Sequence, residues 1–562
     1  MMNTLKSSVL MTLALAIGLS SFGQTSKKSA SNGWHLKGIE EGYYGIDLDK
    51  AYQVVKGKKG QTVVVAVIDS GIDTTHEDLK PILWTNPKEI PGNGIDDDGN
   101  GYVDDVHGWN FLGGRDGRNV EKDSYEAARL YHLYKDRFEA VLDTASLSKE
   151  DQELYKTWLR AKKDVSKGVD QNELFFIKRL FPALQKGDSV IRAELKKEEY
   201  NGNDLKEYKT ANKDAIVTRN VILNICEGNN NNFEITNKEI LEGIESDIQK
   251  AEAVDTPPKD YRGEIVKDNP NDINDRFYGN NDIMTNTALH GTHVSGIVGA
   301  VRNNGKGMDG VADNVRIMMI RAVPDGDEHD KDIALAIRYA VDNGAKVINM
   351  SFGKYFSPQK QWVDEAVKYA EEKGVLLVAA AGNEGFLVDT MPHYPSPILL
   401  DHKKVSNWIM VGASGDPSNG GLVASFSNFG KKEVDVFAPG VNIYSTVPGG
   451  NTYRNLSGTS MASPVTAGVA AFLFSYYPTL TAQQVKEIIE KSAVAPSIKA
   501  TEPNSDKEVA LSELSKSGGL VNAYEAARLA EAITTGKESP AAPAKTKTPA
   551  KTKMKVKKAK RA

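Results

Sequence analysis

The sequence has a single cysteine, no long apolar run and no large excess of either charge. Its 562 residues include only Cys226 as a thiol, so no disulfide can form within the chain. The formal net charge of −5 is too small to indicate a nucleic-acid partner. The apolar run at residues 9–17 is far shorter than the roughly 18 residues needed to cross a bilayer. We therefore expect a globular protein held by its hydrophobic core, with bound metal as a further candidate stabiliser.

The two ends of the chain differ from the rest. Lys6 precedes the apolar run and Ser21-Phe22-Gly23 follows it, which is the pattern of a secretory signal peptide over residues 1–23. This predicts export to the periplasm, the cell surface or the extracellular space. At the other end, residues 537–561 hold ten basic side chains and one acid. A disordered, solvated tail is predicted for residues 536–562, and it is favoured over a tail that binds an anionic surface.

A buried strand precedes the first candidate functional residue. The β-branched run at residues 61–68 has no polar alternation, which is typical of a central parallel strand. It ends in Asp69, at the place where open α/β sheets carry their binding and catalytic residues. Strands and helices alternate again over residues 315–437. The sequence therefore predicts an α/β fold with a mostly parallel sheet and helices on both faces.

Ser460 lies in Gly-Thr-Ser-Met-Ala, just before a run of small apolar residues at 465–473. The run predicts a buried helix with Ser460 at its entrance and Pro464 in its first turn. A hydroxyl there can attack a carbonyl, and its own N–H can help to hold the oxyanion that forms. An ordinary Ser/Thr helix cap fits the same residues.

Three motifs in a fixed order favour the catalytic interpretation. They are Val-Ile-Asp-Ser-Gly-Ile-Asp at 67–73, His-Gly-Thr-His-Val-Ser-Gly at 290–296 and Gly-Thr-Ser-Met-Ala-Ser-Pro at 458–464. They resemble the Asp, His and Ser motifs of the subtilisin-like serine proteases (subtilases), in the order of that family. The resemblance implies a subtilisin-like, doubly wound α/β fold and a secreted serine endopeptidase that works through an acyl-enzyme.

The resemblance also implies a role for each residue. Ser460 would be the nucleophile, His290 the general base, and Asp69 the acceptor of the other ring N–H. His293, on the same predicted helix as His290, would be structural. Asn383 resembles the family's oxyanion residue and would donate its side-chain amide, although an ordinary turn asparagine fits the same position.

Ser351, Phe352 and Gly353 resemble the edge that pairs with an extended substrate backbone. The implied partners are protein or peptide substrates. No specific nucleic acid, no transmembrane segment and no cofactor for the chemistry are expected, and the oligomeric state stays open. The alternatives are a catalytically silent binding module and a cell-envelope protein on the same scaffold. Competent side chains at all four catalytic positions argue against the silent binding module, and the cell-envelope alternative stays open.

An acidic loop follows the first motif. Asp96, Asp98, Asn100 and Asp104 match the early positions of a calcium loop, and so many neighbouring carboxylates would repel each other without a cation. The glutamate that ends a full EF-hand loop is replaced by His107, so a helix–loop–helix unit is not expected. The loop predicts a structural Ca²⁺ site, with a solvated acidic turn as the alternative.

Residues 116–270, named here the helical segment, separate the Asp motif from the His motif and show apolar residues at helical spacing. We expect a mainly α-helical insertion within a catalytic domain that spans residues 24–535. A lid, a substrate selector, a partner surface and a purely stabilising addition all remain open. Residues 226–232 are expected to form a loop, and Cys226 to be an incidental thiol. No separate inhibitory prodomain is expected before Asp69.

Overall fold

The structure is a computed structural model that describes residues 31–166, 171–228, 233, 235–417 and 420–537. The predicted signal peptide and nearly all of the predicted tail lie outside these residues. Within the described ranges, we find no helix that combines the length and the apolar character needed to span a membrane.

A seven-stranded, all-parallel sheet forms the centre of the molecule. Its spatial order is β2-β3-β1-β4-β5-β6-β7, so β1 is paired on both sides, with Val63 opposite Val315 and Val65 opposite Val347. The strands of this sheet are β1 (Val63–Asp69), β2 (Gly108–Asn110), β3 (Val315–Arg321), β4 (Val347–Met350), β5 (Leu376–Ala380), β6 (Trp408–Ser414) and β7 (Val436–Pro439). Two antiparallel pairs lie outside it: β8 (Ile443–Val447) with β9 (Thr452–Leu456), and β10 (Ala500–Thr501) with β11 (Glu508–Val509).

Helices cover both faces of the sheet. Those outside the helical segment are α1 (Leu48–Val54), α9 (Leu289–Gly299), α10 (Asp330–Asp342), α11 (Lys360–Glu372), α12 (Thr459–Tyr476), α13 (Ala482–Lys491) and α14 (Ala523–Thr535). Along β1, Val65 and Val67 pack in the core that contains α9 and α12, whereas Ala66 and Ile68 pack in the core that contains α10 and α11. Because both faces are buried, β1 needs no polar alternation. The predicted parallel sheet with helices on both faces is confirmed.

The helical segment has its own apolar centres. Its helices are α2 (Glu126–Phe138), α3 (Lys149–Ser166), α4 (Gln171–Leu195), α5 (Gly202–Lys206), α6 (Lys213–Gly228), α7 (Asn237–Glu252) and α8 (Tyr261–Ile265). One centre groups Ile191, Tyr200 and Ile222. The other groups Tyr131 and Trp158 with Phe356, which follows β4. The segment therefore packs directly on the rest of the chain.

The prediction of a loop from residue 226 is wrong at its start. Cys226 lies in the last turn of α6, and residues 229–232 lie outside the described ranges. Cys226 is fully buried, and burial raises the pKa of its thiol to about 12. A thiol that stays protonated is a poor nucleophile.

Candidate active site

Asp69 and His290 form a hydrogen-bonded pair, although 221 positions separate them in the chain. Asp69 ends β1 and is almost fully buried, and His290 is the second residue of α9. His290 Nδ1 lies 2.8 Å from Asp69 Oδ1 and 3.0 Å from Oδ2. Because a carboxylate accepts, Nδ1 carries the proton and Nε2 is left as the basic nitrogen. The backbone N–H of Ser70 also donates to Oδ1, at 2.7 Å.

A glycine permits the approach of α9 to β1. A Cβ atom at Gly291 would lie 2.1 Å from the carbonyl oxygen of Gly71 and 3.1 Å from Asp69 Cβ. Since the nearest obstacle is backbone, a side chain could be accommodated only by moving the helix away from the strand. The glycine after His290 therefore sets the distance between the imidazole and the carboxylate.

Ser460 is the second residue of α12, at a helix N-terminus as predicted. Its hydroxyl donates to the carbonyl oxygen of Ser351 at 3.0 Å. Among the described residues, no hydrogen bond joins Ser460 to His290. The structure therefore pairs the first two members of the predicted triad and directs the third to Ser351, the residue just after β4. Catalytic hydrogen bonds are often long before substrate binds, and a serine hydroxyl can turn about its Cα–Cβ bond.

Pro464 does not lie in the first turn of α12, contrary to the expectation. The helix begins at Thr459, so Pro464 is its sixth residue. A proline there removes the N–H that would bond the carbonyl oxygen of Ser460, four residues earlier. The Oγ of Ser351 donates to that oxygen instead, at 2.9 Å, and receives a bond from Asn349 Nδ2 at 2.9 Å. The missing helical bond is thus replaced by one that ties the start of α12 to the end of β4.

Asn383 is fixed by the residue that precedes Ser460. Its Oδ1 accepts from the backbone N–H of Thr459 at 2.9 Å and from the Thr459 hydroxyl at 3.0 Å. Because a backbone N–H can only donate, this contact assigns the amide orientation and leaves Nδ2 available as a donor. Gly382, just before it, has φ +101°, a conformation that favours glycine.

His293 lies outside the pair formed by His290 and Asp69. It is fully buried, and its Nε2 donates to the carbonyl oxygen of Arg454 on β9 at 3.0 Å. Burial lowers the pKa of its imidazole to about 3. The neutral ring therefore joins α9 to the β8–β9 hairpin.

The three predicted substrate-edge residues directly follow β4. The hydroxyl of Ser351 is engaged with the start of α12, and Phe352 is half-buried. Gly353 packs against a buried imidazole, because a Cβ atom there would lie 2.5 Å from the ring of His393. The structure therefore places one end of this edge beside Ser460 and the other beside His393.

Arg321, which ends β3, was not identified from the sequence. It is fully buried and donates to the carbonyl oxygens of Ser70, at 3.0 Å, and Val120, at 2.6 Å, and to the Thr287 hydroxyl, at 3.2 Å. Burial lowers the pKa of its guanidinium to about 10. Arg321 thus ties the loop after Asp69 to the residues before α9. A charged residue at the end of a mostly apolar strand was the available signal.

The acidic loop groups a different set of carboxylates from the predicted one. Oxygens of Glu89, Asp96 and Asp98 lie within 4.8 Å of one another. Asp104 lies outside this group, because its oxygens accept the backbone N–H groups of residues 92–94. Asn100 Oδ1 accepts from the N–H of Tyr102.

The donor chemistry of this group fits Ca²⁺. Glu89 Oε1 accepts the backbone N–H groups of Asp97 and Asp98, at 3.0 and 3.2 Å. Its Oε2 is buried and has no hydrogen-bond partner among the described residues. An orphaned carboxylate oxygen beside two other carboxylates is costly unless a cation balances it. Hard oxygen donors are the ligands that Ca²⁺ prefers.

With this geometry established, comparisons with known proteins identify the family. The profile of the subtilase family matches residues 60–524. The chain belongs to the subtilase family. This confirms the predicted membership and the subtilisin-like α/β fold, and it places the protein in a family of serine endopeptidases.

Three relatives show how much of the chain is shared. A thermophilic serine proteinase of Bacillus sp. (strain AK1) is 43% identical over 223 residues, covering 40% of this chain and 50% of the relative. Thermitase of Thermoactinomyces vulgaris is 40% identical over 218 residues, covering 39% and 71%. Subtilisin DY of Bacillus licheniformis is 43% identical over 208 residues, covering 36% and 70%. The chain thus matches half the length of the first relative and about 70% of the other two.

Proposed function

We propose that this subtilase is an endopeptidase that cleaves peptide bonds with Ser460, His290, Asp69 and Asn383. Ser460 Oγ attacks the carbonyl carbon of the scissile bond while His290 Nε2 takes its proton. Asp69 accepts the N–H of Nδ1, fixes the ring and stabilises the imidazolium that forms. The C–N bond then breaks, the leaving amine receives the proton from Nε2, and the acyl group stays on Ser460. Water attacks this acyl-enzyme in the same way and releases Ser460.

In this proposal, two hydrogen-bond donors stabilise the negative charge that forms on the carbonyl oxygen. One is the backbone N–H of Ser460 at the start of α12, where helical N–H groups have no intrahelical acceptor. The other is Asn383 Nδ2, which the contact between Asn383 Oδ1 and Thr459 leaves free. Preorganised donors of this kind stabilise the transition state more than the substrate.

The observation that carries the proposal is the His290–Asp69 pair at the carboxyl end of β1. Such a pair orients the imidazole with its basic nitrogen turned away from the carboxylate, as general-base catalysis requires. The proposed substrates are extended protein or peptide chains that pair with residues 351–353. Export to the periplasm, the cell surface or the medium is proposed on the pattern of residues 1–23 alone.

We further propose that Glu89, Asp96 and Asp98 hold a structural Ca²⁺. The orphaned Glu89 Oε2 supports this assignment. The ion would balance the charge of the acidic loop and would take no part in the bond cleavage.

Labelling with a fluorophosphonate tests the nucleophile. We expect the protein to be labelled and to hydrolyse unfolded protein substrates, and Ser460→Ala to lose both properties. Ser475→Ala is the matched control, because Ser475 is buried in the same helix and its hydroxyl has no hydrogen-bond partner among the described residues. It should keep both. A folded wild-type protein with neither labelling nor hydrolysis would instead support the catalytically silent binding module.

A further inference from the structure

Lys354, the residue after the proposed substrate edge, is almost fully buried, with 3% of its surface exposed. Its Nζ contacts Glu126 Oε2 at 2.8 Å and Asp330 Oδ1 at 2.9 Å, and donates to the carbonyl oxygen of Glu328 at 2.7 Å. Burial alone would lower the pKa of this ammonium, but the carboxylates of Asp330 and Glu126 hold it above its ordinary value. Lys354 is therefore a charged group fixed on several sides.

One of these partners belongs to the helical segment. Glu126 is the first residue of α2, and only 5% of its surface is exposed. It also pairs with Arg129 at 2.7 Å, and its backbone N–H donates to Asp327 at 2.8 Å. Arg129 in turn donates to the carbonyl oxygen of Asp327 at 3.1 Å. The first turn of α2 is thus held to the loop that leads into α10.

The next two residues extend the contact between the helical segment and the catalytic residues. Arg160 on α3 donates to the carbonyl oxygen of Tyr355 at 3.1 Å, and Phe356 is buried in the same apolar cluster as Trp158. The Tyr355 hydroxyl donates to Glu384, whose Oε2 also accepts the backbone N–H of Asn383 at 2.9 Å. Residues 354–356 therefore contact α2 and α3 on one side and the loop that carries Asn383 on the other.

A second attachment lies away from β4. Arg454 on β9 pairs with Glu199 at 3.1 Å and with Glu239 at 3.2 Å, and both carboxylates belong to the helical segment. The backbone oxygen of Arg454 accepts the bond from His293. The helical segment is thus attached to the rest of the chain at two separate places. These two attachments fix the position of Glu126, which in turn fixes Lys354.

We propose that Glu126 and Lys354 form a positioning pair through which the helical segment holds residues 351–353 in the conformation that binds an extended substrate. In this proposal, the role of the helical segment is to support substrate binding. The inference rests on the proposed function, because the edge matters only if the protein binds and cleaves peptides. Glu126 and Lys354 act through the edge and do not touch the reacting atoms.

Glu126→Gln tests the pair, since it removes the charge and keeps the shape. For a peptide of several residues on the acyl side of the scissile bond, we expect KM to rise about tenfold with kcat within twofold, as when binding shared by the ground and transition states is lost. For a nitrophenyl ester with no peptide on the acyl side, both constants should stay at the wild-type value. The effects of Glu126→Gln and Lys354→Met on the peptide KM should be less than additive in the double variant, because the two side chains are in direct contact.

Glu139→Gln is the matched control, because Glu139, just after α2, forms an exposed pair with Lys162 on α3 at 2.8 Å. It should change neither constant. Thermal unfolding sets an assay temperature at which every variant is folded, since an unpaired buried charge is destabilising. An unchanged peptide KM in Glu126→Gln, or an equal change for peptide and ester, overturns the inference. A wild-type protein that fluorophosphonate does not label overturns the proposed function instead.

Discussion

At the scale of single residues, the partner of each polar atom decides what the side chain can do. His290 and His293 lie three positions apart on α9, yet one ring pairs with a carboxylate and the other with a backbone carbonyl. The pairing with Asp69 orients the His290 ring and leaves Nε2 as its basic nitrogen. Burial without a carboxylate keeps His293 neutral. Only the first environment suits a group that must take up and return a proton.

Asn383 provides a prediction at this scale. Asn383→Ala should lower kcat by roughly 10²–10³ and leave KM nearly unchanged, because the lost donor acts on the transition state. Steady-state hydrolysis of a peptide substrate measures both constants. Asn383→Asp is the sharper variant, since its carboxylate can still accept from Thr459 but has no N–H to donate. Wild-type kcat in Asn383→Asp would show that Nδ2 is not an oxyanion donor.

Only part of the proposed metal site could be predicted from the sequence. The alternating oxygens at Asp96 and Asp98 are visible in the sequence, and the structure brings them together. Glu89 precedes the loop and has no spacing that marks it. It joins the group because backbone N–H groups of the loop hold its other oxygen. A contact made by chain folding has no local signature.

At the scale of elements, buried strands and long apolar helices were the easiest to predict. The uninterrupted run that became β1 and the small-residue run of α12 both lie in the core, where their composition is decisive. Helix α6 has a weak helical signal of its own, because the Ile, Val and Thr residues in it have weak helical preference. Its packing against α4 supplies what its own sequence does not.

The contact between α9 and β1 leads to a prediction about an element. Gly291→Ala should force the helix away from the strand and lengthen the His290–Asp69 bond, with a loss of at least about 10² in kcat. Gly299→Ala at the other end of α9 is the control, because its nearest obstacle is the side chain of Val315. Both variants should melt at a lower temperature, and only the first should lose activity. Equal kcat values in the two variants would contradict this account.

At the scale of the whole molecule, the fold relies on two large apolar cores and a network of buried polar contacts. The cores lie on opposite faces of the sheet, and smaller clusters stabilise the helical segment. Helices in this segment could be predicted from the spacing of its apolar residues. The attachment of the segment through Lys354 and Arg454 could not be predicted, because the sequence does not show whether a charged residue is buried or which residue it pairs with.

The calcium proposal gives a prediction for overall stability. Wild-type protein should bind at least one Ca²⁺ in equilibrium dialysis, and its melting temperature should fall on chelation, because a ligand bound only to the folded state stabilises it. Glu89→Gln should bind one ion fewer per chain. Asp97→Asn is the control within the same loop, since Asp97 lies outside the group and bonds the N–H of Ile90. Unchanged stoichiometry in Glu89→Gln would refute the site.

The order of the strands has a consequence for synthesis of the protein. β1 pairs with β3 and β4, and both come after the helical segment in the chain. During synthesis, β1 therefore leaves the ribosome before the helical segment. Neither of its neighbouring strands is available until that segment has been synthesised. Closing such a distant pairing is slow, because the entropy of the intervening chain must be lost first. Ser460, the proposed nucleophile, is synthesised later still. The proposed active site is therefore incomplete for most of the time that the chain is being translated.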